Sequence, residues 1–205
     1  MLAEIFKNMY ELRAKKCRLR ERYINIRRSL PSDMKKERDN KICSFLLSLA
    51  SYRYSDVILM YFPCKDEVDI KSVIIQALND GKKVALPKCR KEDRSMQFYF
   101  INSLNDLSQK GAFGIPEPSE TLPVYNPASD TRPAVCIIPA IVYDKEGFRI
   151  GYGKGFYDRY LPSFSGTKIG LAYNDFIIDK VPRGKYDLSA DVLITEKGIT
   201  AINTK

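Results

Sequence analysis

The residues best suited to chemistry stand at 149–161, RIGYGKGFYDRYL, where Gly151, Gly153 and Gly155 alternate with Tyr152 and Lys154 and lead into Phe156, Tyr157 and Asp158. Glycines at this spacing let a backbone approach an anion closely and take φ values that other residues avoid. A helix starting near Gly155 would aim unpaired amides at whatever precedes it. Arg149 and Lys154 add fixed positive charge. Asp158, in the first turn of that helix, would either cap it or hold a magnesium ion that bridges phosphates. The spacing matches neither G-x-x-x-x-G-K-[ST] nor G-x-G-x-x-G. On the residues alone, a phosphate cradle and a plain strand-to-helix turn both stay open.

Composition narrows the chemistry further. The chain of 205 residues contains no histidine, which removes the commonest general base and the commonest transition-metal ligand together. Ser-His-Asp, Cys-His and His-metal chemistry are excluded, and what remains suits charge stabilisation better than proton shuttling near neutral pH. Cys17, Cys43, Cys64, Cys89 and Cys136 are odd in number and widely spaced, with no C-x-x-C pair. That pattern fits reduced cytoplasmic thiols and not a disulfide framework or a zinc site. Cys64 and Cys136 are assigned to packing.

The net charge of +9 is concentrated. Residues 1–53 hold fourteen Lys and Arg against six Asp and Glu, an excess of eight, so this segment favours an anionic partner. Within it Met9, Leu12, Leu19, Tyr23 and Ile26 recur as the stripe of an amphipathic helix. Lys16 falls where the stripe calls for an apolar residue, with Arg20 one turn on. Either Lys16 snorkels out of the interface, or the helix aims cations inward at a bound anion.

The elements that must position these groups follow an α/β pattern. Pro31 and Ser32 are expected to end the first helix and cap a second, with a stripe of Met34, Ile42, Phe45 and Leu49. DVILMYFP (56–63), KVALP (83–87), AVCIIPA (134–140), KIGLAY (168–173) and DVLIT (191–195) read as buried strands, and DIKSVIIQALNDGK (69–82) as a helix closed by Gly81. MQFYFI (96–101) reads as an edge or antiparallel strand. Pro63, Pro87 and Pro139 are expected to end their strands on one edge, so the site should be built from the loops beyond them. The expectation is one α/β domain over residues 1–205. It has an open, mostly parallel sheet with helices on both faces, a Rossmann-like three-layer arrangement. A basic helical pair spans 10–50, and an irregular Pro-rich excursion at 102–133 serves as lid or wall. No apolar run approaches the ~20 residues that span a bilayer. MLAEIFKNMYELRAKK lacks the order of a signal peptide. A cytoplasmic protein with no membrane partner is therefore expected.

Taken together, several segments resemble the 5-formyltetrahydrofolate cyclo-ligase family. They are KKCRLR (15–20), YFPCKDEVD (61–69), GKKVALP (81–87), GIPEP (114–118), the glycine-rich segment and VPRGKYDLSADVLITE (181–196), in that order. The resemblance implies an enzyme that uses ATP and Mg2+ to convert 5-formyltetrahydrofolate, with or without a polyglutamate tail, into 5,10-methenyltetrahydrofolate, releasing ADP and phosphate. It implies that Lys16, Cys17, Arg18, Leu19 and Arg20 bind ATP together with Arg149, Ile150, Gly151, Tyr152, Gly153, Lys154, Gly155, Phe156 and Tyr157. Tyr61 and Glu67, with Tyr152 to Phe156, would border the folate, and Asp158 and Asp191 would be the magnesium-linked carboxylates. Lys154, Tyr157 and Arg149 are the catalytic candidates. Without the resemblance, Glu67 reads equally as a solvated loop carboxylate, Tyr61 as core and Asp191 as a turn residue. Two positions depart from the family's pattern. Phe156 stands where members often carry tyrosine, and Tyr186 stands near a position where many carry histidine.

The implied chemistry suits the residues available. Phosphorylation of the formyl oxygen turns a poor leaving group into phosphate, and a neighbouring folate nitrogen closes the ring within one bound molecule. A rival reading lays the basic helices on a nucleic-acid backbone and stacks bases on Tyr152, Phe156, Tyr157 and Tyr160. It explains the charge but not the carboxylates, and no nucleic-acid motif is present. The expectation is accordingly a monomeric small-molecule enzyme with no nucleic-acid partner.

Overall fold

The computed structural model describes residues 2–108, 111 and 114–202. Gln109, Lys110, Ala112 and Phe113, which belong to the expected excursion, lie outside the described residues, as do the two ends of the expected domain.

The basic helical pair is present as α1 (Leu2–Arg28) and α2 (Ser32–Ser48). Pro31 forces the residue before it out of helical geometry, which explains why α1 stops short of it. Pro31 itself is the N-cap of α2, and Ser32 is the first helical residue with no side-chain cap. The expected serine cap is therefore displaced by one position. The stripe of α1 is only partly used, because Leu19 and Tyr23 pack on the core while Met9 and Ile26 are exposed. In α2, Ile42 is buried and Met34 exposed. A four-residue turn, α3 (Ala50–Arg53), leads into the sheet.

The main sheet contains β1 (Val57–Leu59), β2 (Lys83–Cys89), β3 (Met96–Ile101), β6 (Ala134–Pro139), β9 (Thr167–Leu171), β11 (Val192–Thr195) and β12 (Gly198–Ala201). Their order across the sheet is β12-β11-β9-β6-β1-β2-β3. The five inner strands are parallel, and β3 and β12 close the two edges antiparallel. The inner strands are buried on both faces, which is why they read as continuous apolar runs. In β1 and β6, Ile58, Val135 and Ile137 face a core shared with α1, α2 and α4 (Lys71–Asn79), whereas Val57, Leu59, Cys136 and Ile138 face the other side. That second face is covered by the short α5 (Phe156–Tyr160), by Leu161 and Phe164, and by Tyr125 from the Pro-rich excursion.

Pro139 does end β6. Pro87 does not end β2, which runs on to Cys89. Its pairing with β1 stops at Ala85, so Pro87 lies where β2 pairs only with the edge strand, a position that tolerates the missing amide. Pro63 lies beyond β1, which closes at Leu59.

The excursion is a wall. Its small sheet joins β4 (Leu107–Ser108) to β5 (Glu117–Pro118), and its later part lies along β3, with Phe100 N–H donating to Pro123 O at 2.8 Å and Tyr125 N–H to Phe98 O at 2.8 Å. Such cover protects an edge that would otherwise offer free ladder groups. Between β6 and α5 the chain forms a hairpin not anticipated from sequence, β7 (Val142–Asp144) and β8 (Arg149–Ile150), joined by β10 (Ile177–Ile178) in a second sheet. No helix of the described residues is long and apolar enough to cross a membrane.

Candidate active site

Two loops at the carboxyl ends of neighbouring parallel strands build the site. In the loop after β1, the Tyr61 hydroxyl donates to Val68 O at 2.9 Å and closes the segment between them. Tyr61 is buried, so its hydroxyl is occupied by the loop it shapes, and burial pushes its pKa up. Glu67 is only 6% exposed, and its Oε2 accepts from Cys64 N–H at 2.9 Å. Desolvation raises the pKa of Glu67, opposed by the two contacts from Cys64 and by the charge of Arg27. Cys64 Sγ lies 3.4 Å from Tyr152 Oη, which joins this loop to the glycine-rich one.

The loop after β6 is held from behind by Arg27, which no sequence signal singles out. This arginine, 4% exposed, donates from Nη2 to Ala140 O at 2.9 Å and to Ile141 O at 2.6 Å, and lies over Phe176 at 5.0 Å. In the hairpin, fully buried Asp144 accepts from the N–H groups of Glu146, Phe148 and Val181 and from Arg183. Four donors satisfy the hydrogen-bonding capacity that a buried carboxylate must fill.

Arg149 follows, 8% exposed, its Nη1 on Leu188 O at 2.8 Å and its Nη2 on Asp158 at 2.6 Å. Beyond it the glycine segment passes under α1. Arg20 Nε donates to Gly151 O at 2.9 Å, and its guanidinium lies so near Gly153 (φ +89°) that a Cβ there would fall 3.0 Å from Cζ. Gly155, left-handed at φ 69°, starts α5. Arg159 then reaches back to Lys154 O at 2.7 Å and across to Arg94 O. This bracing role of Arg159 was not anticipated, although the residue stands within the opening motif. Lys154 itself is exposed and pairs with no carboxylate among the described residues.

The remaining predicted residues divide. Lys16 neither snorkels free nor points at empty space: it pairs with Asp187, whose Oδ2 also accepts Gly184 N–H at 2.7 Å. Leu19 packs on the core and Ile150 is buried within it. Cys17 is exposed beside Glu21, 3.4 Å from its carboxylate. Arg18, with Lys15, Lys180 and Arg183, lines a groove of about 710 Å3. Phe156 and Tyr157 pack on the second face of the sheet. The Tyr157 hydroxyl is buried with no hydrogen-bond partner among the described residues, and burial pushes its pKa well up.

The two aspartates expected near magnesium are each matched with a cation. Asp158 holds Arg149 through Oδ1 only, whereas Asp191, at the amino end of β11, takes both the ammonium of Lys168 at 2.9 Å and its N–H at 2.8 Å through Oδ2. No group of three or more His, Cys, Asp or Glu among the described residues forms a metal cage.

Fold and site together define an α/β enzyme whose site opens beyond the carboxyl ends of β1 and β6. Arg20 of α1 holds the glycine segment there, and the loop of the desolvated Glu67 touches that segment. The relationship can be made specific. The chain belongs to the 5-formyltetrahydrofolate cyclo-ligase family, whose model matches residues 12–196, and it is an enzyme of the ligase class. It is 28% identical over 88% of its length to the 5-formyltetrahydrofolate cyclo-ligase of Haemophilus influenzae, covering 97% of that protein. It is 30% identical over 71% of its length to the probable enzyme of Caenorhabditis elegans, covering 75% of it. Among solved structures it resembles 5,10-methenyltetrahydrofolate synthetase of Aquifex aeolicus at 33% identity. The TM-score is 0.80, with 93% of this chain and 94% of that one covered.

Proposed function

We propose that this enzyme converts 5-formyltetrahydrofolate into 5,10-methenyltetrahydrofolate with consumption of ATP. The γ-phosphoryl group passes to the formyl oxygen, leaving ADP and an iminium-like phosphate on the N5 formyl carbon. N10 of the same folate attacks that carbon, its proton leaves, the carbon–oxygen bond breaks and phosphate departs. The observation that carries this reading is the glycine segment itself. It is braced by Arg20 on one side and Arg159 on the other, with the Lys154 ammonium unpaired among the described residues, and it touches the Glu67 loop through Tyr152 and Cys64. Phosphate and folate functions would thus share one segment.

In this reading Lys16, Arg20, Lys154 and Arg149 meet the phosphates, and the segments 16–20 and 149–157 line the nucleotide. Within them Cys17, Leu19 and Ile150 support the backbone, and Arg18 answers the more distant charge. Lys154 stabilises charge on the phosphoryl in transfer, where a preorganised cation contributes most. Tyr157 brings a buried hydroxyl with an unspent donor. Glu67 would accept pterin N–H groups, which an already desolvated carboxylate does at little further cost, and Tyr61 holds its loop in shape.

Magnesium would accompany ATP. Asp158 fits this role because its Oδ2 is not engaged by Arg149 and its side chain is one-third exposed; Asp191 is the second carboxylate proposed. With no cage of three carboxylates among the described residues, the ion would complete its shell with phosphate oxygens and water. Bound there it would neutralise charge between the β- and γ-phosphates. The five cysteines are all unpaired, which supports a reducing, cytoplasmic compartment. Because one chain carries every residue named, a monomer is the proposed working unit.

The experiment that tests the route uses substrate carrying 18O in the formyl group. The label is expected in the released phosphate. Label recovered in water with unlabelled phosphate would overturn formyl phosphorylation.

A further inference from the structure

The strap between β10 and β11 runs from Asp179 to Asp191 and makes contacts that none of the roles above explains. At its centre, two consecutive residues hold two cations, Lys16 of α1 and Arg149 at the start of the glycine segment. The Asp187 carboxylate pairs with Lys16 of α1, and the Leu188 carbonyl accepts Arg149 Nη1 at 2.8 Å. Both links are sheltered, with the Lys16 and Asp187 side chains 21% and 18% exposed and that of Arg149 5% exposed.

Asp187 is itself fixed in place. Its Oδ2 accepts Gly184 N–H at 2.7 Å, and Asp187 N–H donates to Gly184 O at 3.3 Å. Leu12 of α1 packs against the same turn, close enough that a Cβ on Gly184 would touch it at 3.4 Å. The strap is anchored at both ends. Arg183 holds Asp144 and Glu146 of the hairpin, and Ala190 N–H donates to Gly147 O at 2.9 Å. The carboxylate therefore lies on a short rigid turn between α1 and the hairpin and not on a free loop.

A lysine has a flexible four-carbon stem and loses considerable rotamer entropy when an anion immobilises it. A carboxylate that holds the stem in place before the anion arrives lowers that cost, although its own negative charge opposes the anion. An ammonium has three donors and Asp187 Oδ2 engages one, so two remain for phosphate oxygens while the stem is held. We propose that Asp187 is a positioning residue for nucleotide binding. It presents Lys16, and through the adjoining Leu188 carbonyl it sets the separation of Lys16 and Arg149, so that two cations from different elements meet one phosphate chain. The inference rests on the reading that Lys16 and Arg149 contact ATP.

The test compares Asp187→Ala, Asp187→Asn, Lys16→Ala and the double variant Lys16→Ala/Asp187→Ala in the full chain. Affinity for a non-hydrolysable ATP analogue with magnesium is measured by calorimetry, alongside KM for each substrate and the melting temperature. Asp187→Ala is expected to weaken nucleotide binding about tenfold, the scale of one charge-assisted contact, with KM for the folate unchanged. Asp187→Asn, which keeps an acceptor for Gly184 N–H, is expected to weaken it less. Adding Asp187→Ala to Lys16→Ala should change little more. Equal or tighter nucleotide binding in Asp187→Ala, with Lys16→Ala weakened, would overturn the proposal and make Asp187 a competitor of the phosphate. Parallel increases in both KM values with a lowered melting temperature would reduce it to a structural residue. Full nucleotide affinity in Lys16→Ala would overturn both the proposal and the assignment of Lys16 beneath it.

Discussion

Replacing Gly153 by alanine tests whether the glycine segment is shaped by its contact with α1. The perturbation has two parts. At φ +89° an alanine is strained, at about 1–2 kcal/mol. Its Cβ would also meet Arg20 Cζ and Nη2 at 3.0 Å, tighter than ordinary contact, so the guanidinium must shift and its 2.9 Å bond to Gly151 O must lengthen or break. If the strain is borne by the folded chain, the melting temperature falls by about 2–8 °C, the shift expected for 1–2 kcal/mol in a chain of this size. If the loop relaxes into another conformation, stability is kept and the loss moves to nucleotide binding, where 1.4 kcal/mol is a factor of about 10 in KM for ATP. Thermal unfolding and initial rates of methenyl formation against ATP concentration, run on the same preparation, separate the two. Arg20→Ala, which removes the obstructing group, should recover part of the stability when combined with Gly153→Ala. A Gly153→Ala protein with unchanged melting temperature and unchanged KM for ATP would show that contact with α1 does not shape the glycine segment.

Other outcomes follow from the same geometry. Glu67 binds its proton more tightly in the folded than in the unfolded state, so its contribution to stability is complete below its ordinary pKa of 4.5 and is lost as pH rises through the raised folded value. Glu67→Gln should accordingly melt higher than the parent protein near pH 7 and not near pH 4, while its KM for the folate rises; a loss of stability at pH 7 would contradict the desolvation argument. Arg27→Ala leaves the Ala140 and Ile141 carbonyls without a donor and should cost about 3 kcal/mol, read as a shifted midpoint in urea. Gly170→Ala would place a Cβ 2.6 Å from Tyr143 Cζ and 2.7 Å from Leu193 Cδ2, an overpacking worth about 1–3 kcal/mol in the same titration, with KM values unchanged. Lys154→Ala should lower kcat by about 100-fold or more with little change in melting temperature, since its ammonium makes no structural pair among the described residues.

Much of the sheet was readable because strands buried on both faces cannot hide their composition, and β1, β6, β9 and β11 each appear where a continuous apolar run stands. The same rule concealed the hairpin of β7 and β8. Ile141, Val142 and Tyr143 continue the run of β6 without a break, and only the turn held by Asp144 with Gly147 at φ +82° reverses the chain. The glycine segment was visible as a motif, but its opposition to Arg20 was not, because that contact joins residues 131 positions apart. Periodicity correctly marked Lys16 as out of place on α1, yet the reason lies in Asp187, 171 residues away. Arg27 escaped notice for the opposite cause. A basic residue in the last turn of a helix looks like an ordinary complement to the helix dipole, and nothing local says that this one is buried. Met9 and Ile26 show the reverse, apolar residues in register with the stripe at turns of α1 where the body of the protein does not cover them.

If this site couples ATP consumption to closure of a folate ring, ADP and the methenyl product must appear in a fixed ratio. Purified protein with ATP, magnesium and 5-formyltetrahydrofolate should develop the methenyl absorbance with one ADP released per product, and withholding ATP or chelating magnesium should abolish both. Absorbance that develops at an equal rate without ATP, or ADP release with no methenyl product at high enzyme concentration, would contradict it.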